Sequence, residues 1–211
     1  MKTDDLIDML ARNVEPAERP KWRMRMMVTL LVGLAIAVAL VITFMRMRPD
    51  IGTATWAVLL KAGFSAAATA TILPLAMRLM RPGAPIGWRL AAALIFAGVS
   101  LLAAFIALMG MPSAARMHAW MGGGFPWCIV LIPLFAAPAA ALMVWLARSL
   151  APTRLTLSGA AIGGLSGGLG AMAYAMYCPV DSVAFVTTWY VVAIAICAAL
   201  GAVVGSKLLR W

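Results

Sequence analysis

Six long apolar runs constrain this chain more than any other feature of its sequence. Each run is long enough to cross a hydrocarbon layer of about 30 Å as a helix. Helix is required because backbone N–H and C=O groups find no water in lipid, and the runs lack the polar–apolar alternation of barrel strands. The sequence therefore predicts an all-α integral membrane protein with six transmembrane helices, at 26–45, 53–77, 90–110, 126–147, 155–177 and 183–206.

The composition excludes a water-soluble globular protein. Charged residues make up 11% of the 211 residues and hydrophobic residues 64%, whereas about a quarter of a soluble domain is charged. The net charge of +10 does not indicate nucleic-acid binding, because Lys and Arg lie mainly at the ends of the apolar runs, where they set membrane topology. The polar first 20 residues and the long first run are also unlike a cleavable signal peptide. We expect the lipid bilayer to be the main solvent.

The distribution of basic residues predicts the orientation. With the N-terminus in the cytoplasm, thirteen of the seventeen Lys and Arg residues lie on the cytoplasmic side, three lie outside, and Lys61 lies within the second span. Basic residues favour the cytoplasmic side, so we predict an inner-membrane protein with both termini in the cytoplasm. Arg46 and Arg48 are exceptions to this rule, together with Arg116. Omitting the second span would reverse the topology downstream and destroy the asymmetry.

Residues 1–25 form the one clearly water-soluble segment, ahead of a membrane domain at 26–211. The spacing of its apolar residues predicts a short amphipathic helix with one apolar stripe. We predict that this cytoplasmic helix binds another protein; a frayed tail or a helix lying on the bilayer are the alternatives. Its acidic residues disfavour an anionic membrane surface. The predicted binding residues are Leu6, Met9 and Leu10 on the stripe and Asp4, Asp5 and Asp8 beside it.

Two of the three cysteines fall at the predicted outer ends of neighbouring spans. Cys128 begins the fourth span and Cys178 ends the fifth, and the short connection at 148–154 makes these helices antiparallel neighbours. Thiols at one level on adjacent helices can come within disulfide reach. Alternatively, one or both are simply small residues at helix ends. Cys197 lies inside the sixth span, in a stripe of small residues that favours close packing against the glycines of the fifth span.

The second span contains a lysine, Lys61, about nine residues from its predicted outer end. An ionisable side chain inside the membrane is costly and indicates a functional role unless it snorkels outward. Asp181, in the loop beside Cys178, is a possible counter-ion. The single histidine, His118, lies in the predicted outer loop at 114–124, and with Asp181 and the two cysteines it could gather a soft metal ion. The pattern does not identify a metal.

The sequence lacks the motifs of common catalytic and nucleotide-binding sites. We find no Walker loop, nucleophile elbow, zinc-binding helix motif or dinucleotide fingerprint, and we predict no enzyme activity and no cofactor. Two alternatives remain: a quinone-coupled thiol-disulfide oxidoreductase that uses the cysteine pair, or a small metal or solute transporter. The first lacks a second dithiol, and the second lacks polar span interiors.

An ordered set of short motifs runs along essentially the whole chain. They are Lys2-Thr3-Asp4-Asp5-Leu6-Ile7-Asp8 with Leu10-Ala11, then Lys61, Arg81-Pro82-Gly83, Pro126-Trp127-Cys128, Tyr177-Cys178-Pro179, Asp181-Ser182 and Phe185-Val186. In this order, the set resembles the NrsF-like family of integral-membrane anti-sigma factors, which are negative regulators of extracytoplasmic-function sigma factors in proteobacteria.

The resemblance implies a function for each end of the molecule. It implies that the N-terminal segment binds a sigma factor and holds it away from core RNA polymerase. It further implies that Cys128 and Cys178 are the signal-receiving pair on the periplasmic side. Because the pair is two thiols, we predict that the signal is an oxidant or a thiophilic metal. Cys197 is not part of the family pattern.

Overall fold

The computed structural model describes residues 22–45, 48–81, 86–123 and 125–210. The predicted N-terminal helix precedes these ranges, so its structure is outside the description that follows. The predicted partner-binding residues outside the described ranges are Asp4, Asp5, Leu6, Asp8, Met9 and Leu10.

Seven helices account for most of the described chain, and it contains no strand. Six of these helices are long and apolar enough to cross a membrane, which confirms the predicted fold class. The remaining helix is short and joins two of them. The helices are α1 (Trp22–Met45), α2 (Thr55–Leu79), α3 (Trp88–Met109), α4 (Ser113–Met121), α5 (Trp127–Arg148), α6 (Leu155–Tyr174) and α7 (Val183–Leu208).

The helix bounds differ from the predicted spans by a few residues at several ends. α1 is already helical at Trp22, the first residue described, four residues before the predicted span, because a polar turn can be helical outside the apolar run that defines a span. α6 ends at Tyr174, and residues 175–177 form a turn that leads into an irregular connection. The 114–124 region, predicted as a loop, instead carries the helix α4.

The centre of the bundle is α6, which touches α1, α2, α5 and α7. Its glycines allow backbones to approach closely, because a methyl group at Gly163 would overlap the Cys197 carbonyl oxygen, and one at Gly159 would overlap that of Gly201. A Cβ at Gly170 would lie 2.6 Å from the carbonyl oxygen of Ile132 on α5. The predicted close packing of the small-residue stripes of α6 and α7 is confirmed, and α5 and α6 are neighbours.

The bundle has two distinct ends. We define the cysteine end as the end formed by the connections at 48–54, 110–126 and 175–182, and the opposite end as the one where α1 begins. Short π-helical turns, Val41–Met45 and Val186–Tyr190, occur in the parts of α1 and α7 at the cysteine end. α4 is tied to α7 there, because the indole nitrogen of Trp189 donates a hydrogen bond to the Trp120 carbonyl oxygen at 2.8 Å.

Candidate functional site

Cys128 and Cys178 lie at the cysteine end of one buried cluster, which extends along α7 as far as Cys197. Cys128 is the second residue of α5, and Cys178 lies four residues beyond the end of α6. Both side chains are fully buried, and both are free thiols. The cluster around them is aromatic, with the rings of Tyr174 and Tyr190 6.1 Å apart. The structure thus brings together two thiols that are 50 positions apart in the sequence.

Cys197 has a different environment from the other two cysteines. It is a free thiol near the middle of α7 and is 6% exposed. Its side chain and main chain pack against Gly163 and Gly167 of α6. This contact is structural packing between helices, in agreement with the role predicted from the small-residue stripe.

Lys61 reaches from α2 to the connection between α6 and α7. It is the seventh residue of α2, about 9 Å along the helix axis at 1.5 Å per residue. Its ammonium group donates hydrogen bonds to the carbonyl oxygens of Cys178 at 2.7 Å and Val180 at 3.1 Å, and it lies 2.6 Å from Oδ1 of Asp181. An ammonium has three donors, so all three find an acceptor although the side chain is only 3% exposed.

Arg48 is the functional residue that the sequence analysis missed. In the sequence it is only an exception to the topology rule. In the structure its side chain is 5% exposed and forms ion pairs with two carboxylates. Nε and Nη2 donate to the two oxygens of Asp50 at 2.6 and 2.7 Å, while Nη1 and Nη2 donate to those of Asp181 at 2.9 and 3.2 Å. The only local signal in the sequence is Asp50, two positions after the arginine.

We call Arg48, Asp50, Lys61 and Asp181 the charge cluster. Two cations face two carboxylates, so the cluster is electrically balanced. Arg48 is thus paired with carboxylates and is not an isolated positive charge. The four residues come from the α1–α2 connection, from α2 and from the α6–α7 connection, and the cluster therefore joins three separate parts of the chain.

The charges in the cluster stabilise one another. Hydrogen bonds to Asp50 and Asp181 raise the pKa of Arg48 above its ordinary value, and the hydrogen bond from Arg48 lowers the pKa of Asp50. Burial by itself would raise the pKa of Asp181, but hydrogen bonds from Arg48 and Lys61 and their positive charges outweigh it and lower that pKa. Both carboxylates are therefore ionised at neutral pH.

The bonds of the charge cluster converge on the backbone around Cys178. Besides Lys61, Nη1 of Arg48 lies 3.4 Å from the Cys178 carbonyl oxygen, and the Arg48 backbone N–H donates to the Met176 carbonyl oxygen. The Cys178 thiol is buried among the side chains of the cluster, with its sulfur 3.8 Å from the Val180 carbonyl oxygen. The main chain of residues 176–181, which we call the Cys178 segment, is thus held by hydrogen bonds from the charge cluster, while the Cys178 sulfur is a free thiol.

The structure does not assemble the metal site considered from the sequence. Within the described ranges, no group of three or more His, Cys, Asp and Glu side chains could hold a metal ion. His118 lies on α4 beside an open pocket that Pro179 and Val180 also line, and neither thiol reaches this pocket. The four-residue set of His118, Asp181 and the two cysteines is therefore corrected to a thiol pair beside a separate charge cluster.

Comparison with known proteins gives concordant matches over the full chain. A family model described as "Negative regulator of sigma F" matches residues 10–211. The chain is 34% identical to the probable anti-sigma-F factor NrsF of Azospira oryzae and 30% identical to the anti-sigma-F factor NrsF of Caulobacter vibrioides, and each match covers 100% of both chains. No solved structure matches.

Proposed function

The chain belongs to the NrsF family of negative regulators of sigma F, and we propose that it is a membrane-bound anti-sigma factor. It captures an extracytoplasmic-function sigma factor through its N-terminal segment and releases it when Cys128 and Cys178 receive an oxidant or a thiophilic metal. It lies in the cell inner membrane with both termini in the cytoplasm, as the asymmetry of basic residues favours. Its role is regulatory and not catalytic.

The observation that carries the sensing proposal is the position of the two buried thiols. They come from different parts of the chain, share one cluster at one end of the bundle and are free. A two-electron oxidant can join such a pair as a disulfide, and a soft metal ion can bind both sulfurs. Either event changes the distance that is favoured between α5 and the end of α6.

The N-terminal segment joins the bundle at the end opposite the thiols. Trp22, the first residue of α1, is 8% exposed and packs in a buried cluster with Leu79, Met143 and Leu209. These residues belong to α1, α2 and α5, and Leu209 directly follows α7. A shift of the helices at the cysteine end can therefore reach the point where the sigma-binding segment joins the bundle.

Sigma-factor capture is proposed for the stripe of Leu6, Met9 and Leu10, with the three aspartates beside it. A few buried apolar anchors carry most of the energy of such an interface. We expect Leu6→Ala with Leu10→Ala to abolish co-purification of the sigma factor and to raise target transcription without any signal. The matched control is Leu94→Ala with Leu102→Ala, the same chemical change on exposed positions of α3. Unchanged repression in the N-terminal variant would refute this arm.

The second arm tests the thiols in the same reporter strain. Cys128→Ser with Cys178→Ser should leave the protein present in the membrane, bound to the sigma factor, and unable to release it under oxidant or thiophilic metal. Cys197→Ser is the control and should respond normally, since its sulfur serves helix packing. If the double variant is less abundant but still responds, Cys128 and Cys178 form a permanent disulfide that only stabilises the fold. A co-purified quinone in place of a sigma factor would favour an oxidoreductase.

A further inference from the structure

The Lys61 ammonium links Cys178 directly to α2. All three of its acceptors lie within four residues of the α6–α7 connection: two carbonyl oxygens, one of them that of Cys178, and the Asp181 carboxylate. The side chain is buried, so an N–H that lost its acceptor would not regain one from bulk water. Leaving a buried charged donor unsatisfied is unfavourable. Lys61 therefore helps to hold the Cys178 segment in its position relative to α2, beside the bonds that Arg48 makes to the same segment.

The helix that carries Lys61 also reaches the start of α1. α2 ends at Leu79, and the Arg81 guanidinium just beyond it lies 4.9 Å from the centre of the Trp22 ring. Leu79 and Met80 pack in the same buried cluster as Trp22. Thus α2 contacts the Cys178 segment at one end of the bundle and Trp22, where the N-terminal segment joins α1, at the other end.

We infer that the bond from Lys61 to the Cys178 carbonyl oxygen holds the sigma-capturing state, and that its release is the signal sent along α2. This inference rests on the proposed function. For a peroxide signal, the two thiols and one hydrogen peroxide molecule give one disulfide and two water molecules, with both S–H bonds and the O–O bond broken. The disulfide requires a specific separation of the two Cβ atoms. Formation of the disulfide at this separation turns the main chain at Cys178 and moves the Cys178 carbonyl oxygen away from the Lys61 ammonium.

The test variant is Lys61→Met, which keeps the length of the side chain and removes its charge and its donors. The variant has a physical reason to fold, because α2 becomes more apolar and Asp181 keeps two hydrogen bonds from Arg48. In cells without added oxidant, we expect target transcription to rise about tenfold, within the range of coupling between distant sites. Thiol trapping should show Cys128 and Cys178 still reduced, and hydrogen peroxide should raise transcription no further.

Two further variants separate this role from a structural one. Asp50→Asn removes a charge from the same cluster, but Asp50 bonds to Arg48 and makes no contact with the Cys178 carbonyl oxygen. In this variant, target transcription should therefore stay repressed without peroxide and rise when peroxide is added. Asp181→Asn removes the anion that Lys61 pairs with and should give partial release. If Lys61→Met lowers membrane abundance, Asp181→Asn provides the decisive measurement at normal abundance.

Each outcome has a distinct meaning. Release with reduced thiols at wild-type abundance supports the inference. A Lys61→Met protein that represses and responds like wild type overturns it, as does one that represses but no longer responds. If the wild-type thiols themselves never change state under peroxide while transcription does, the thiol-sensing function fails first, and the inference fails with it.

Discussion

α6 and α3 are both long and apolar enough to cross a membrane, but the less hydrophobic of the two is the more buried. We compare the most apolar stretch of each of the six candidate spans in the described chain. The stretch from α6 has the lowest mean hydropathy, yet 72% of it is buried. α3 is far more hydrophobic, and only 11% of its corresponding stretch is buried. Lipid tails are as apolar as leucine, so hydrophobicity does not drive a helix into the centre of a membrane bundle. A helix lies at the centre when its small residues let neighbouring backbones approach closely.

The two helices are therefore held by different forces. α6 gains dispersion contacts over most of its length, because its glycines and serines let α2, α5 and α7 approach closely. α3 buries only Ser100 and Ala104, and one of its contacts is an aromatic pair between Phe96 and Phe64 of α2, with ring centres 5.4 Å apart. The same substitution should therefore change the unfolding free energy by different amounts in α6 and in α3. Two pairs of variants test this, and a third experiment measures one contact that attaches α3.

The largest difference is expected for adding one methyl group to a glycine. In Gly163→Ala, the new Cβ would overlap the Cys197 carbonyl oxygen and lie 2.9 Å from its carbonyl carbon, so α6 and α7 must separate. We expect a loss of about 3 kcal/mol in unfolding free energy, at the upper end of overpacking effects. The measurement is an SDS titration of the purified protein in mixed micelles. Gly98→Ala in α3, where the Cβ meets nothing within 4 Å, should be neutral or slightly stabilising.

A smaller difference is expected for removing a side chain. Leu165 of α6 is fully buried, whereas Leu94 of α3 is 63% exposed. Leu165→Ala should lower the unfolding free energy by about 2 kcal/mol, the low end for buried leucines, because the cavity cost remains but the transfer from water does not apply. Leu94→Ala should have little effect, since lipid replaces the lost contacts. Equal losses in the two variants would contradict the comparison.

The smallest effect should come from the aromatic contact that attaches α3. A double-mutant cycle of Phe64→Ala and Phe96→Ala should give a coupling free energy of about 1 kcal/mol, as for other aromatic pairs. Phe64 paired with Phe105, which is 56% exposed on α3, should give no coupling. A coupling free energy as large as the loss measured for Leu165→Ala would mean that α3 is held as firmly as a core helix.

The six spans and their small-residue packing follow from local sequence patterns. An apolar run must become a helix in lipid whatever surrounds it, and a stripe of glycines shows where another backbone can approach. For the same reason, the positions of Cys128 and Cys178 at the ends of consecutive spans predict that both lie at one end of the bundle. Those features depend on residues near one another in the chain, so they could be read from it.

The charge cluster could not be derived in the same way, because its bonds join distant positions. Arg48 binds a carboxylate 133 positions away, and Lys61 binds a carbonyl oxygen 117 positions away. The sequence suggested Asp181 as a counter-ion for Lys61, but two of the three Lys61 acceptors are backbone carbonyls, which every residue carries and no side-chain pattern marks. The sequence by itself determined which segments enter the membrane. Only the tertiary structure decided which buried charges meet, because a buried cation needs acceptors at hydrogen-bonding distance and packing alone sets that distance.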